Sequence, residues 1–344
     1  MRNRTMDRLT LFLKTLDGEV IYPRPVWLMR QAGRFLKPYR DLRDRYDFLT
    51  MCTTPEIAAE VTVMPQRELG VDALVLFSDI LIPLLAIGAK LKYADGYAPI
   101  VENIDINNLG TQTDLESIEF VAETIRLVKS LAPDYPLIGF AASPFTLACY
   151  LFGSQDEFSA IRAYIYAYPD AFLSLMDRLS NLTVEYLRMQ VAAGCDAVQI
   201  FDSWAGILTD TVYSRFVFPY VDRIATAVDA KTIYYIKNSR HLRYAIKELG
   251  VNCLSVDWRE DLMELHRETG KVVQGNLDNT LLLTDRETLI KHVERLLGTT
   301  VGIAHIVNLG HGVLPSSNPD LARLLVDVVH NFDYYKADYT DTGG

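Results

Sequence analysis

Short apolar runs alternate with longer amphipathic stretches along the whole chain. The runs are Val26–Met29, Asp72–Phe77, Pro136–Ala141, Ala197–Phe201, Thr232–Ile236, Cys253–Val256, Lys271–Gly275 and His305–Asn308. They are rich in Val, Ile, Tyr and Phe, the composition of parallel strands buried on both faces. Between them lie helix-period stretches: Pro55–Leu69, Leu115–Leu131, Asp170–Ala193, Thr211–Asp229, Leu242–Leu249 and Arg286–Leu297. Gly70, Gly194, Gly250, Gly270 and Gly298 stand where helix C-caps are expected. The phrases "LGVDALVLF" (Leu69–Phe77) and "AGCDAVQIF" (Ala193–Phe201) both read as helix end, tight turn, strand.

Eight strand–helix units predict an α/β fold, a single (β/α)8 barrel. A doubly wound sheet is the alternative, weakened by the absence of GxGxxG after the first strand. Thr5–Leu16 is expected as an extra N-terminal helix. Pro83–Gly110, after the second strand, is longer than an ordinary βα loop and is expected as an insertion over the barrel mouth. No linker or low-complexity segment interrupts the chain, so residues 1–344 are expected to form one domain.

Composition narrows the classes. The 344 residues carry 34 Lys+Arg against 44 Asp+Glu, a net charge of −10, so no overall positive field exists to attract nucleic acid. Any anionic ligand must meet a local basic cluster. Cys52, Cys149, Cys195 and Cys253 form no CxxC pair, which excludes a zinc ribbon or dense disulfide framework and suits a reducing compartment. The N-terminus lacks the apolar stretch of a secretory signal. The most apolar window, Leu74–Leu91, is broken by Ser78, Asp79 and Pro83 and is too short to span a bilayer. The expected address is the cytoplasm, with no membrane partner.

The polar residues that follow the runs carry the chemistry, because the strand C-termini are the functional face of a barrel. Arg24 to Arg45, "RPVWLMRQAGRFLKPYRDLRDR", holds seven basic residues (Arg24, Arg30, Arg34, Lys37, Arg40, Arg43, Arg45) and two acids (Asp41, Asp44). Arginine's planar fork suits carboxylates, so the cluster points to a ligand with several of them. The plainer reading is a solvated helix face paired with Asp41 and Asp44.

Asp79 follows "DALVLFS" and is surrounded in sequence by Leu81, Ile82, Leu84 and Leu85. A carboxylate beside such a wall needs partners. They could be ligand N–H groups or an arginine; an N-cap is the structural alternative. In "GFAASPFTLACY" the small residues Ala141, Ala142 and Ser143 leave room near the backbone, and Tyr150 is either a hydrogen-bond donor to a ligand or a core tyrosine. Asp202 and Ser203 end the strand of "QIFDSWAG". Ser203 has no GxSxG elbow and no neighbouring histidine, so it reads as a hydrogen-bonding group rather than a nucleophile. His311, between Gly310 and Gly312, sits in a loop open to close ligand approach. No HExxH, HxC or His/Cys cluster suggests a metal.

Taken together, "PVWLMRQAGRFLKPYR", "FSDIL", "GFAASPFTLACY", "QIFDSWAG", "VDW", "GNLD" and "NLGHG" resemble the uroporphyrinogen decarboxylase family over essentially the whole length and in the same order. The resemblance implies a (β/α)8 barrel, a homodimer, and no cofactor or metal. It implies a tetrapyrrole substrate whose four acetates lose CO2 to become methyl groups. Carried over by motif, Arg30, Gln31, Ala32, Gly33 and Arg34 bind substrate, and Asp79 sits under the macrocycle at its pyrrole N–H groups. Tyr150, Ser203 and His311 match further contacts, Phe48 an apolar wall residue, and Arg43 another carboxylate-binding arginine. The implied catalytic pair is Asp79 and Arg34; Arg30, Arg34, Tyr150 and His311 are all candidates to move protons.

The chain departs from the family's pattern at Ala142, where glycine is usual. It departs again in "LFGSQDEF" (Leu151–Phe158, including Phe152–Ser154), and at Asn238–Arg240, where glycines are usual. Three other readings compete: a zinc-dependent methyltransferase of the same superfamily, a non-catalytic porphyrin binder, and a barrel enzyme acting on phosphorylated metabolites.

Overall fold

A computed structural model describes residues 6–93, 99–102, 104–106, 109, 112–153 and 155–334. Nine strands occur among them: β1 (Leu74–Val75), β2 (Lys90–Lys92), β3 (Ile100–Glu102), β4 (Leu137–Ala142), β5 (Ala197–Asp202), β6 (Lys231–Ile236), β7 (Cys253–Val256), β8 (Val272–Leu277) and β9 (His305–Leu309). Seven form one sheet in the order β1-β4-β5-β6-β7-β8-β9, and every adjacent pair is parallel. Strands β4 to β9 are almost wholly buried, as expected for runs of Val, Ile, Leu and aromatic residues between two apolar layers. Strands β2 and β3 form a separate antiparallel ribbon inside the expected insertion after β1.

Val26–Met29 is not the strand its composition suggests. Its pairing is the isolated parallel bridge between Val26 and Val307. Pro25 has no N–H to give to a ladder. The Leu28 N–H donates to Gln31 Oε1 (3.1 Å) and the Met29 N–H to Asn308 Oδ1 (2.9 Å). Side chains thus take the donors that a neighbouring strand would need. The segment still touches both sheet edges. Val307 N donates to Pro25 O (2.9 Å), Trp27 N to Val307 O (3.2 Å) and Asp72 N to Val26 O (2.8 Å). The Asp72–Phe77 run likewise shortens to β1, because the Asp72 N–H goes to Val26 and the Phe77 N–H to Thr62 Oγ1 (2.9 Å).

Most helices follow the apolar period. Pro55–Leu69 starts with proline at its first position and ends at Gly70, whose φ of 76° is the left-handed cap. Pro169–Ala193 ends at Gly194, and Leu262–Thr269 at Gly270. Two expected caps are corrected. Gly298 lies inside Arg286–Thr299, and Gly250 lies beyond the short helix Arg243–Ile246, its N–H held by Asp222 Oδ1 at 2.7 Å. The Thr211–Asp229 stretch is two helices, Asp210–Phe216 and Phe218–Ala227, since Pro219 cannot donate the bond that would join them. Leu115–Leu131 opens as a 3-10 turn, Leu115–Ile118, before the α-helix Phe120–Leu131. The N-terminal helix is Arg8–Leu16, capped by Asp7, whose Oδ1 accepts from Thr10 N at 2.8 Å; Thr5 lies outside the described residues.

Two buried polar groupings hold the sheet. Trp27 Nε1 donates to Gln274 Oε1 (3.0 Å), and Gln274 Nε2 donates to Gln199 Oε1 and Ser255 Oγ (2.9 Å each). Every polar atom of that Gln274 amide is thereby partnered. The second grouping lies where β9 begins. Arg24 is buried with its guanidinium over the rings of Tyr22 and Tyr334, at 5.6 and 5.4 Å, and it bonds Thr300 and His305. Arg24 therefore belongs to the packing at the strand N-termini, not to the basic cluster that its position in the sequence suggested.

His305 is neutral in that setting. Its Nε2 donates to Gly275 O (2.7 Å), so Nδ1 is free to accept from Arg24. Burial, and then Arg24, pull its pKa down to about 3. A histidine depressed in this way contributes stability that is present above its ordinary value near 6.5 and lost as pH falls towards about 3. Urea midpoints should therefore fall as pH is lowered from about 7 to about 4, and His305→Gln should flatten that slope. An unchanged slope in the variant would show that His305 is not the group that takes up the proton.

Candidate active site

Residues after the Val26–Met29 segment, β1, β5 and β9 surround a cavity of about 1050 Å³. Its basic side is built just after the Val26–Met29 segment. Gln31 is buried, its amide donating to Ala73 O (3.0 Å) while its Oε1 accepts from Leu28. The Gln31 side chain is thus a structural pin rather than a free ligand group. Arg30 beside it has a φ of 61°, a left-handed conformation costly for a residue with a Cβ. Its side chain lies across Gly312, where an added Cβ would come within 2.3 Å of Arg30 Cδ, so any other residue would displace the Arg30 side chain.

The basic cluster divides by location. Arg30, Arg34, Arg43 and Arg45 line the cavity, together with the acids Asp44 and Asp47. Lys37 and Arg40 do not. Lys37 makes an exposed ion pair with Asp41 (2.7 Å), and Arg40 donates to the carbonyls of Arg34 and Phe35 (2.9 Å each), closing the turn before the helix Lys37–Arg43. Arg43 donates to Tyr46 O (2.8 Å) and Arg45 to Asp41 O (3.1 Å). Arg40 thus closes a turn through backbone carbonyls, whereas the plain helix-face reading holds for Lys37. It fails for Arg30 and Arg34.

Asp79 lies at the cavity beyond β1. Leu81, Ile82 and Leu84 beside it are fully buried. Its Oδ1 accepts from Leu81 N at 2.8 Å, the local bond that fixes the carboxyl's direction. No ion pair to Asp79 occurs among the described residues, so the structural salt-bridge reading does not hold. Burial pushes its pKa up, opposed by the Leu81 N–H, the Tyr93 hydroxyl and Arg30. Tyr93 is a cavity residue that no motif marks, and its hydroxyl is buried without a partner that meets hydrogen-bond geometry.

The other expected residues mostly converge. Ala32, Gly33, Phe48, Tyr150 and Ser203 line the same cavity. Phe48 packs edge-on against Phe77 (5.9 Å) and Tyr93 (5.0 Å), making an aromatic wall. Tyr150 rides on the helix Pro144–Phe152, whose N-cap is Ser143, and burial raises its hydroxyl's pKa. Asp202 is wholly buried and accepts from Thr146 Oγ1 (2.9 Å) and Tyr234 OH (2.7 Å), so it supports the turn that displays Ser203. His311 is not a lining residue. It stands near Arg30 with Nδ1 against Tyr235 OH at 2.8 Å.

Sequence reading missed Tyr93, Phe140, Phe201 and Arg45 as cavity residues. Phe201 and Arg45 lay within quoted motifs; Tyr93 carries no local signal. The departures are explained in part. Ala142 fits fully buried at the end of β4. Asn238 takes the left-handed conformation a glycine would favour (φ 56°), its N–H held by Asp257 Oδ2 at 2.7 Å. Ser154 lies outside the described residues.

The family model described as uroporphyrinogen decarboxylase (URO-D) matches residues 7–332. The chain belongs to the uroporphyrinogen decarboxylase family. The family's enzyme from Thermodesulfovibrio yellowstonii is 46% identical over 334 residues, 94% of this chain and 98% of that one. The one from Trichlorobacter lovleyi is 40% identical, over 93% and 97%. Among solved structures, a methyltransferase from Methanosarcina mazei superposes with a TM-score of 0.82 at 20% identity, covering 95% of this chain and 99% of its own. At that identity the likeness shows a shared fold and lends no support to the methyltransferase reading.

The Asp79 environment has a consequence for stability. Its folded-state pKa is raised, so the folded chain holds a proton that the unfolded chain gives up. Asp79 therefore costs stability as pH rises above the ordinary carboxylate range. Asp79→Asn keeps an acceptor for Leu81 N and should raise the melting temperature at neutral pH, the gain shrinking as pH falls towards about 4. A variant less stable at neutral pH would show that the carboxylate is well compensated in the free protein.

Proposed function

We propose that this cavity binds uroporphyrinogen, a cyclic tetrapyrrole with eight carboxylates, and converts its four acetate side chains to methyl groups, giving coproporphyrinogen and CO2. The observation that carries this is one half-buried carboxylate, Asp79, that makes no ion pair among the described residues and shares its cavity with four arginines. A polyanionic periphery suits the arginines, and a ring of N–H donors suits Asp79.

Loss of CO2 from an acetate leaves an electron pair that needs a sink. A proton added to the pyrrole makes it a cation, and the C–C bond electrons pass into that cation as CO2 departs. The exocyclic carbon then takes a proton to become methyl, and the ring returns the proton it borrowed. Each acetate thus consumes one proton net. Asp79, fixed by Leu81 N, stabilises the cationic ring through preorganised charge. Arg30, Arg34 and Arg43 hold carboxylates, with Arg34 the catalytic partner, while Ala32 and Gly33 keep the approach open. Phe48 forms a wall, and Tyr150 and Ser203 supply hydrogen bonds. Gln31 acts by pinning the Arg30–Arg34 turn, and His311 acts beside Arg30.

Finer points belong to the same proposal. Pro25–Trp27, bonded to both edge segments, serves as the eighth stave that closes a (β/α)8 barrel. The insertion after β1 contributes Leu91, Tyr93 and Pro99 to the cavity wall. The whole chain acts as one domain, a homodimer in the cytoplasm, without cofactor or metal and without a nucleic-acid partner. The dimer and the cofactor-free chemistry rest on what the motif resemblance implies, and the charge of −10 supports the last point. Among the described residues no helix is long and apolar enough to cross a membrane.

Purified, metal-stripped protein incubated anaerobically with uroporphyrinogen III should yield, after oxidation, products whose carboxyl count falls from eight to four. Asp79→Ala should lower turnover by about 10²–10³, the range for removal of one preorganised electrostatic group. An unchanged eight-carboxyl product with tight binding would make the protein a porphyrin binder. Neither binding nor turnover would overturn the site.

A further inference from the structure

Tyr235 on β6 and His311 form a hydrogen-bonded pair near Arg30. The Tyr235 ring is buried against Phe201 (5.6 Å between centroids) and stacks on the His311 ring at 6.2 Å and 18°. Its hydroxyl is 2.8 Å from His311 Nδ1 and 3.1 Å from Gly310 O. One hydroxyl proton thus faces two candidate acceptors. Gly310 O can only accept, it belongs to a buried residue, and no other donor reaches it among the described residues. Giving the proton to Gly310 O satisfies that carbonyl and turns an oxygen lone pair towards His311 Nδ1. Two lone pairs cannot face each other at 2.8 Å, so Nδ1 carries the hydrogen. The opposite assignment leaves a buried carbonyl without a donor.

We infer that Tyr235 is a positioning residue that holds His311 as the Nδ1–H tautomer, so that Nε2 presents a lone pair and not a proton. The groups that bear on the ring pair are Arg30 and Lys237 around His311, and Asp257 and Arg259 around Tyr235. Burial and the two cations Arg30 and Lys237 hold the ring neutral, its pKa pulled down to about 4. The site's reading as a uroporphyrinogen pocket is then refined. A neutral Nε2 presents a lone pair that accepts an N–H, such as that of the neighbouring Arg30 guanidinium, and gives no hydrogen bond to a substrate carboxylate. His311 leaves the set of candidate proton donors, which reduces to Arg30, Arg34 and Tyr150. Only this last step rests on the proposed substrate; the tautomer itself rests on the hydrogen bonds.

The test uses the full chain without substrate, so its failure is separate from any failure of the decarboxylase reading. With 15N-labelled histidine at about pH 7.5, where a histidine of low pKa is neutral, the His311 ring is assigned by its disappearance in His311→Gln. The expected wild-type pattern has Nδ1 protonated and Nε2 bare. In Tyr235→Phe the same ring should shift towards the Nε2–H form, a change that a merely structural role would not produce. A wild-type ring protonated on Nε2, or an identical pattern in Tyr235→Phe, overturns the inference. If Tyr235→Phe does not fold, the wild-type pattern alone decides.

Discussion

The site is organised around a carboxylate, Asp79, held at the cavity wall without an ion pair among the described residues. Asp79 is aimed into a partly apolar cavity by one short bond to Leu81 N, and no described cation sits within ion-pair distance of it. Burying a charge in that way is unfavourable unless something arrives to meet it. Asp79 keeps partial solvent exposure, accepts from Leu81 N, and feels the positive charge of Arg30, which together offset part of that cost. Gln274, Asp202 and Gln31 each find partners within the chain. Asp79 makes no ion pair among the described residues, and under the proposed function a ring that becomes cationic during reaction is the partner it meets.

The remainder of the cavity follows from that constraint. A carboxylate alone would draw any cation from solution, but the four lining arginines favour a ligand that is anionic at its rim. The aromatic wall of Phe48, Phe77 and Tyr93 gives such a ligand an apolar face to lie against. A rim richer in arginine than in acid, an apolar wall and the Asp79 carboxylate match a molecule with carboxylates outside and N–H groups inside. The glycine at 312 and the left-handed Arg30 are local costs that bring a guanidinium across the site.

Much of this was legible in the chain. Seven of the eight apolar runs contain sheet strands, because buried parallel strands need near-continuous apolar sequence. The eighth, Val26–Met29, fails as a strand for a non-local reason: side chains from Gln31 and Asn308 take its donors. The basic segment was legible as a ligand feature, but its members were not separable by spacing. Arg24 and Arg30 flank the same short extended stretch and so emerge at opposite ends, one packed between Tyr22 and Tyr334, the other in the cavity. Tyr93 was invisible because it reaches Asp79 from the insertion, and only tertiary structure brings them together. The Tyr235–His311 bond is hidden for the same reason, since its members are far apart in the chain.

In the proposed function Asp79 meets the N–H core of a tetrapyrrole. The most direct measurement is a crystal structure of the protein with coproporphyrinogen bound under anaerobic conditions. The account predicts Asp79 carboxylate oxygens within hydrogen-bond distance, about 2.7–3.2 Å, of the pyrrole nitrogens. It also predicts product carboxylates on Arg30 and Arg34. A product seated with its carboxylates elsewhere, or with Asp79 turned away from the ring centre, would contradict it.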